Sequence, residues 1–180
     1  MIYVFLADGF EETEALATVD VLRRAKLEVK TVGVGAKQVT SSHQITVLAD
    51  IEDKDIVLDE SLQAVVLPGG MPGTKNLEAS ETVQTAIKFA KENDKYICAI
   101  CAAPSILGHL GLLDGKNATC FPGFETNEDK VTYTGEGAVC DGKIITGKGA
   151  GCAIDFGLMI VSKLVSKEVS DEIRSSMQCQ

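Results

Sequence analysis

Residues 96–108 read YICAICAAPSILG, and the predicted fold is organised around them. The apolar run that opens this stretch is typical of a buried β-strand, whereas Pro104 favours the first turn of an α-helix and cannot donate a hydrogen bond to a sheet. The strand is therefore expected to end near Ile100, which leaves Cys101 in the turn before the helix. This is a strand–turn–helix elbow of the kind that presents a nucleophile, with cysteine in place of serine.

The position of Cys101 predicts a reactive thiol with a lowered pKa. A helix spanning residues 102–113 would direct its unpaired backbone N–H groups and the positive end of its dipole at the sulfur, which favours the thiolate. The small side chains around the cysteine would let another molecule approach it closely. The alternative is a buried, unreactive cysteine at a strand end, because free cysteine is among the residue types most often buried.

The composition is that of one α/β domain spanning residues 1–180. The chain is 45% hydrophobic and 24% charged, which fits a globular protein with a sizeable core. Its 17 basic and 26 acidic residues give a net charge of −9, and the basic residues form no patch. We therefore expect no nucleic-acid and no membrane partner, and favour a small or neutral one.

The first residues of the chain do not resemble a targeting signal. Residues 1–7 are apolar but run directly into acidic residues, and no apolar run reaches the length of about 18 residues that a membrane span needs. A cytoplasmic location is therefore predicted, where cysteines stay reduced. The six cysteines are accordingly interpreted as free thiols, at positions 98, 101, 120, 140, 152 and 179.

Strand-like and helix-like runs alternate along the chain, which predicts a mostly parallel sheet with helices on both faces. The predicted strands cover residues 2–7, 28–35, 64–67, 96–100, 118–120, 138–141 and 143–146, with a small hairpin at 39–48. The predicted helices cover residues 12–26, 81–93, 102–113, 153–165 and 168–177. In the first helix, Leu16, Val19 and Leu22 share the face that is expected to be buried.

Three features are expected at one edge of this sheet, because ligands of open α/β sheets bind beyond the carboxyl ends of the strands. Glu14 follows the first strand, the sequence PGGMPG of residues 68–73 follows a later one, and Cys101 follows the next. The glycine-rich turn leaves backbone N–H groups free for an anion or oxyanion, although such turns are often only structural. Together these features predict a single crevice.

Four motifs resemble those of the DJ-1 branch of the ThiJ/PfpI superfamily, namely GFEETE at residues 9–14, LPGG at 67–70, AICAAP at 99–104 and AIDFGL at 153–158. The resemblance implies a flavodoxin-like doubly wound sandwich that forms a homodimer. It also implies a reactive Cys101 with Glu14 beside it. The backbone N–H groups of Gly70 and Ala102 would surround the sulfur, and Gly69 is a candidate substrate contact.

The histidines that serve some relatives are missing from this chain. Where some members carry a histidine before a proline beyond the elbow helix, this chain has Phe121, and where peptidase-like relatives carry one directly after the nucleophile, it has Ala102. A cysteine–histidine hydrolase is therefore disfavoured. His109 is interpreted as a surface residue. His43 lies on the hairpin, which in the resembling branch is at the dimer contact, so His43 is a candidate cross-dimer contact.

Glu14 and Cys101 are expected to titrate as a coupled pair. A second anion would raise the pKa of the thiol, but burial would also raise the pKa of the carboxyl. The proton could then reside on Glu14 and be donated to the thiolate, so that the two groups share one negative charge. Such a glutamic acid could act as general base and then as general acid. The alternative is that Glu14 is a solvated acid in the first helical turn, like Glu11 and Glu12.

Three functional hypotheses follow. By resemblance, Cys101 adds to a small 2-oxoaldehyde such as methylglyoxal, and Glu14 moves the protons that convert the adduct to a 2-hydroxy acid without a cofactor. The same chemistry would remove carbonyl adducts from glycated thiols and amines. The second hypothesis is an oxidative-stress sensor or redox-regulated chaperone that forms a Cys101 sulfinate. The third is a dithiol oxidoreductase using Cys98 and Cys101, which is disfavoured because strand residues three apart face opposite sides.

Cys120 and Cys152 are two further candidates for thiol chemistry. Cys120, beside Phe121, is interpreted as either a buried residue or a resolving thiol for oxidised Cys101. Cys152 lies where the last long helix begins. No two cysteines and two histidines have the spacing of a zinc site, so no metal is expected.

Overall fold

The computed structural model describes residues 1–179. The strands are β1 (Ile2–Leu6), β2 (Val29–Gly33), β3 (Gln38–Thr40), β4 (Thr46–Leu48), β5 (Ile51–Glu52), β6 (Ala64–Leu67), β7 (Tyr96–Ile100), β8 (Asn117–Ala118), β9 (Thr132–Tyr133), β10 (Ala138–Asp141) and β11 (Ile144–Gly147). The α-helices are α1 (Glu12–Arg24), α2 (Gly73–Ala79), α3 (Glu81–Glu92), α4 (Pro104–His109), α5 (Ala153–Leu164) and α6 (Lys167–Ser176).

Seven of the strands in residues 1–179 form the central sheet, in the spatial order β10-β11-β7-β6-β1-β2-β5. Neighbouring strands pair in parallel except β10 and β11, which form an antiparallel hairpin. The strands β2-β1-β6-β7-β11 follow the arrangement of flavodoxin-like sheets, in which the order reverses beside β1. The predicted α/β doubly wound fold with a mostly parallel sheet is confirmed.

Alternation along each strand divides the apolar side chains between two cores. In β1, Tyr3 and Phe5 pack on the face covered by α2, α3 and α4. Ile2, Val4 and Leu6 pack on the opposite face with α1, α5 and α6. Because both faces are covered, the sequence of β1 is a continuous apolar run and not an alternating one.

Two small sheets flank the central one. β3 and β4 pair in antiparallel fashion and form the predicted hairpin. β8 pairs in parallel with β9, a strand that the sequence pattern does not predict. Within residues 1–179, no helix combines the length and the apolar character that crossing a membrane requires.

The elbow helix is shorter than predicted. Residues 102–113 were expected to be helical, but only α4 is, because residues 101–103 form a turn in which the Ala103 N–H donates to the Ile100 carbonyl at 3.1 Å. At the other end, Gly111 has a φ of 68°, a left-handed conformation that glycine adopts readily and that ends a helix. The helix α2 is also absent from the prediction, because glycine and proline at its start mask it.

The buried face of α1 differs from the predicted one at Leu16. Val19 and Leu22 are buried, together with Ala15, whereas Leu16 is 40% exposed. Successive helical residues are rotated by about 100°, so Leu16 lies well round the helix from Ala15. An apolar side chain of α1 is therefore left at the surface of the chain.

Candidate active site

Cys101 lies in the turn between β7 and α4, as predicted. Its φ is 65°, a left-handed conformation that costs a non-glycine residue on the order of 1–3 kcal/mol. The Cys101 N–H donates to the Gly147 carbonyl at 2.9 Å, and its carbonyl accepts from the Phe121 N–H at 2.8 Å. Bonds to two distant segments therefore hold the cysteine in a strained conformation typical of an elbow nucleophile.

Glu14 is buried although it lies in the first turn of α1, and only 1% of its surface is exposed. The helix begins after Glu11, whose carboxylate caps it by accepting from the Glu14 N–H at 2.6 Å. Oε2 of Glu14 accepts from the Gly69 N–H at 2.8 Å. Oε1 is buried and has no well-aligned hydrogen bond within residues 1–179. The alternative of a solvated acid is therefore wrong for Glu14.

The glycines of the loop at residues 68–73 allow the site to close. A methyl group at Gly69 would lie 2.7 Å from Cβ of Cys101 and 2.8 Å from Oε2 of Glu14. Gly70 has a φ of 90°, and a methyl group there would lie 2.4 Å from the Glu11 nitrogen. Any side chain at either position would push the site apart. The loop, the cysteine and the glutamate thus meet beyond the carboxyl ends of β1, β6 and β7, as predicted.

The electrostatics of the pair agree only in part with the prediction. Burial raises the pKa of the Glu14 carboxyl to about 7, although hydrogen bonds with Cys101 and the Gly69 N–H act to lower it. Burial and the adjacent Glu14 raise the pKa of the Cys101 thiol to about 12. The N–H groups of Ala102 and Gly70 offset this only in part. The predicted direction is confirmed for Glu14, whereas the lowered pKa predicted for Cys101 is wrong.

The prediction of a lowered pKa for Cys101 considered the helix N–H groups and dipole, but not the burial of the thiol, which raises its pKa. The expected long helix is a six-residue one that begins three residues after the cysteine. Two N–H groups cannot outweigh the loss of solvent and a neighbouring carboxylate. Between pH values of about 7 and 12 the pair carries one negative charge, which lies on the Glu14 carboxylate. The prediction from the sequence that the proton resides on Glu14 and the charge on the thiolate is therefore wrong.

Phe121 borders the cysteine where some relatives carry an imidazole. Besides bonding the Cys101 carbonyl, it has a half-exposed ring that packs edge-on against Phe124, with ring centroids 6.3 Å apart. A methyl group at Gly149 would lie 3.4 Å from the Phe121 ring. The elbow therefore has an aromatic wall on this side.

Both histidines lie at the surface beside a glutamate. Nδ1 of His43, on the β3–β4 hairpin, lies 2.9 Å from Oε1 of Glu12. Nδ1 of His109, at the end of α4, lies 2.6 Å from Oε1 of Glu78. The surface location predicted for His109 is confirmed. Within one chain each imidazole has a carboxylate partner other than Glu14.

The ligand-type atoms of Glu11, Glu12 and His43 all lie within 4.8 Å of one another, a grouping with metal-like spacing in residues 1–179. Their protein contacts account for the arrangement, since Glu11 caps α1 and Glu12 pairs with His43. A cation at this point would also face the positive end of the α1 dipole, which disfavours it.

Cys98 and Cys120 have the features of buried, unreactive thiols. Cys98 is free and fully buried in β7, and burial raises the pKa of its thiol well above the usual value. Cys120 is also free and buried, and burial together with Glu125 and Glu128 raises the pKa of its thiol to about 12. Such thiols exchange slowly, which weighs against Cys98 and Cys120 as redox partners. Cys152 ends a short 3₁₀ turn directly before α5, as predicted.

Comparison with known proteins agrees with the motifs. The DJ-1/PfpI family model matches residues 1–163. The chain is 36% identical over 173 residues to Protein DJ-1 homolog B of Arabidopsis thaliana, and the match covers 93% of this chain but 38% of that longer protein. It is 30% identical to the glutathione-independent glyoxalase DJR-1.2 of Caenorhabditis elegans, covering 91% of this chain and 87% of that one. The crystal structure of Drosophila melanogaster DJ-1beta superposes with a TM-score of 0.93 at 32% identity, over 99% of this chain and 97% of that one. The chain therefore belongs to the DJ-1/PfpI family.

Proposed function

We propose that the chain converts small 2-oxoaldehydes such as methylglyoxal to 2-hydroxy acids, with Cys101 as nucleophile and Glu14 as general base and acid. The observation that carries the proposal is the buried Glu14 carboxyl, with a pKa of about 7, beside an elbow cysteine. A carboxyl that titrates near neutral pH can both take and return a proton. The name of the Caenorhabditis elegans relative, a glutathione-independent glyoxalase, supports the same reaction.

In the first step, Sγ of Cys101 attacks the aldehyde carbon while the Glu14 carboxylate takes the thiol proton. Glu14 can accept that proton because its carboxyl interacts directly with the Cys101 thiol. The carbonyl electrons move to oxygen, which takes up a proton to complete a hemithioacetal. The N–H groups of Gly70 and Ala102 already favour negative charge on the sulfur, and such groups stabilise developing charge in a transition state.

In the second step, Glu14 removes the hydrogen from C1 of the adduct as a proton, and the C2 oxygen takes up a proton to give an enediol. Return of a proton to C2, with loss of one from the C1 oxygen, leaves a thioester of the 2-hydroxy acid. Water then hydrolyses the thioester and restores the thiol. C1 is oxidised and C2 is reduced by the same electron pair, so the balance needs water and no external oxidant.

The same adduct chemistry extends to glycated thiols and amines. Attack of Cys101 on the carbonyl-derived carbon of such an adduct would release the free thiol or amine and leave the same hemithioacetal. A peptidase is not supported, because protonating a peptide amine calls for a positioned base and acid such as imidazole, and Phe121 and Ala102 occupy those positions.

Lactate formation from methylglyoxal without glutathione tests the proposal. Wild type should turn the aldehyde over, and Cys101→Ser should lose at least about 10²-fold in kcat/KM. Cys98→Ser is the matched control, because it removes a thiol from β7, the strand that leads into the elbow. This variant should keep its activity. Wild-type turnover in Cys101→Ser would end the proposal, and loss in Cys98→Ser would favour the dithiol hypothesis.

We further propose that the chain acts as a homodimer. Leu16 on α1 and Ile45 and Leu48 on the hairpin are exposed apolar side chains, on the two elements through which the resembling branch pairs. His43 lies on the same hairpin, so pairing would carry it to the other copy. Light scattering should give twice the chain mass of 19.1 kDa. A monomer at micromolar concentration would contradict the proposal.

An oxidative-stress sensor is the second candidate function. Two equivalents of peroxide would convert the Cys101 thiol to a sulfinate and release two waters. The observation that favours it is again the Glu14 carboxyl beside Cys101, which in its protonated form can donate to a sulfinate oxygen. Peptide mapping after mild peroxide should then find two added oxygens on Cys101 before any other thiol reacts. Oxidation that begins at Cys179 would contradict it.

A further inference from the structure

A cavity of about 250 Å³ lies beside the elbow, between α2, α4 and the loop at residues 121–126. Two of its lining residues, Met71 and Ser105, are close in the chain to groups that surround the Cys101 sulfur. Met71 lines the cavity and directly follows Gly70, whose N–H interacts with the Cys101 thiol. Ser105 also lines it and donates to the Ala102 carbonyl at 2.7 Å, while the Ala102 N–H interacts with the same thiol. The cavity therefore begins within a residue or two of the groups that surround the sulfur.

Thr74, which lines this cavity, has a buried hydroxyl without a partner in the part of the chain that the structure describes. Thr74, in α2, is 3% exposed, and its Oγ1 has no hydrogen bond within the described residues 1–179. A hydroxyl buried in this way costs about 1–3 kcal/mol unless something bonds to it. A group that enters the cavity and bonds to Thr74 would recover that energy.

The hydroxyls of Thr74 and Ser105 make a complementary pair. The Thr74 hydroxyl can both donate and accept a hydrogen bond. The Ser105 hydroxyl already donates to the Ala102 carbonyl, so it can only accept from a ligand. A ligand hydroxyl, which donates and accepts at once, matches the two together. The carboxylate of Glu78 and the imidazole of His109 offer further polar atoms at the rim, and Phe124 offers an apolar face. These polar atoms can bond to hydroxyls on a short carbon chain, and Met71 and Phe124 can pack against its carbons.

The cavity volume is also larger than a three-carbon aldehyde would fill. A water molecule occupies about 30 Å³ in the liquid, so the cavity holds roughly eight waters. A chain of three or four hydroxylated carbons would displace several of them and replace their hydrogen bonds.

We propose that this cavity is a subsite for the polyhydroxylated chain of a sugar-derived 2-oxoaldehyde whose aldehyde carbon is bound by Cys101. The inference rests on the proposed function and specifies its substrate class. The elbow cysteine holds the reacting carbons, and Thr74 and Ser105 hold the hydroxyls beyond them. Six-carbon 2-oxoaldehydes are then better substrates than the bare three-carbon compound.

Kinetics with two substrates test the subsite. The kcat/KM values of 3-deoxyglucosone and methylglyoxal are measured for wild type and Thr74→Val, a near-isosteric change that removes the hydroxyl. The ratio of the two values should favour 3-deoxyglucosone in wild type and fall about 10-fold in Thr74→Val, the factor expected for one hydrogen bond. Thr18→Val is the matched control, because Thr18 has an equally buried and unpartnered hydroxyl in α1, away from this cavity. An unchanged ratio in Thr74→Val, or an equal fall in Thr18→Val, would overturn the inference.

A binding measurement separates this inference from the proposed reaction. Cys101→Ser is titrated with 3-deoxygluconate, a hydroxy acid of the same chain type, while backbone amide shifts are recorded. Shifts at Thr74 and Ser105 that weaken in Thr74→Val support the subsite even where wild type turns over neither aldehyde. Shifts elsewhere, or none, overturn it. If Thr74→Val does not fold, Ser105→Ala takes its place in both experiments.

Discussion

Two glutamates in the first turn of α1, only two residues apart, have opposite electrostatics. Burial acts to raise the pKa of Glu12, but hydrogen bonds with the backbone, Ser41 and His43 outweigh it and lower that pKa. Burial raises the pKa of Glu14 to about 7. Both sit at the same positive helix end, so the dipole does not decide their charge. Burial and the partners of each side chain decide it, and of the two carboxyls that of Glu14 interacts with the Cys101 thiol.

The strongest test of this difference is the same substitution at both positions. Glu14→Gln keeps the shape and the bond to Gly69 but cannot take the thiol proton, so methylglyoxal turnover should fall by about 10²-fold or more. Glu12→Gln should keep turnover within about threefold, since Glu12 does not touch the cysteine and its loss costs well under 1 kcal/mol at the site. Initial rates of lactate formation at pH 7.5 decide it. Equal losses in the two variants would mean that α1 is merely perturbed.

The buried Glu14 carboxyl should destabilise the fold as it ionises. The carboxyl has an ordinary pKa of 4.5 and a folded one of about 7, so between these values the folded chain binds a proton that the unfolded chain does not. The free energy of unfolding of wild type should therefore fall by about 3 kcal/mol as pH rises through this window, and level off above it. A pKa difference of 2.5 units at about 1.36 kcal/mol per unit gives this figure.

Glu14→Gln removes this pH dependence. Urea unfolding should find the variant more stable than wild type by about 3 kcal/mol at pH 8, with little difference at pH 4. For Glu12 the sign is reversed, because its lowered pKa contributes stability at neutral pH that is lost in acid. A constant difference between Glu14→Gln and wild type across pH would show that packing, and not ionisation, is responsible.

The sequence predicts the meeting of Glu14, Gly70 and Cys101 because each follows a buried strand, and carboxyl ends of parallel strands share one edge. It does not predict the conformation of Cys101, which depends on bonds to Gly147 and Phe121, segments with no local signal at the elbow. The thiol pKa was mispredicted for a related reason. Periodicity reports which face is buried, but not how many N–H groups meet a sulfur or whether an anion lies beside it.

Substitution of Gly69, the loop glycine that contacts both Cys101 and Glu14, should have a smaller effect on turnover. The methyl group of Gly69→Ala would press on both Cys101 and Glu14, so turnover should fall by about 10-fold and stability by about 1–3 kcal/mol, as for other overpacked sites. Gly151→Ala is the matched control, because a methyl group there meets no atom within 4 Å. Steady-state rates and urea unfolding of the two variants measure this. Full activity in Gly69→Ala would show that the contact between the loop and the pair does not matter for the reaction.

The smallest expected effect concerns the partner of the outer glutamate. His43→Gln removes an imidazole whose protonated form stabilises the Glu12 carboxylate, so the pKa of Glu12 should rise, and only slightly because the histidine is exposed. The pKa of Glu14 should stay where it is, because His43 does not contact Glu14 within one chain. Carbon-13 titration of the two carboxyl groups, recorded on the protein at a concentration where light scattering defines its assembly, follows both at once. A shift of Glu14 with Glu12 unmoved would mean that His43 acts on the site of a second copy, and the separation of the two glutamates would then hold only for the isolated chain.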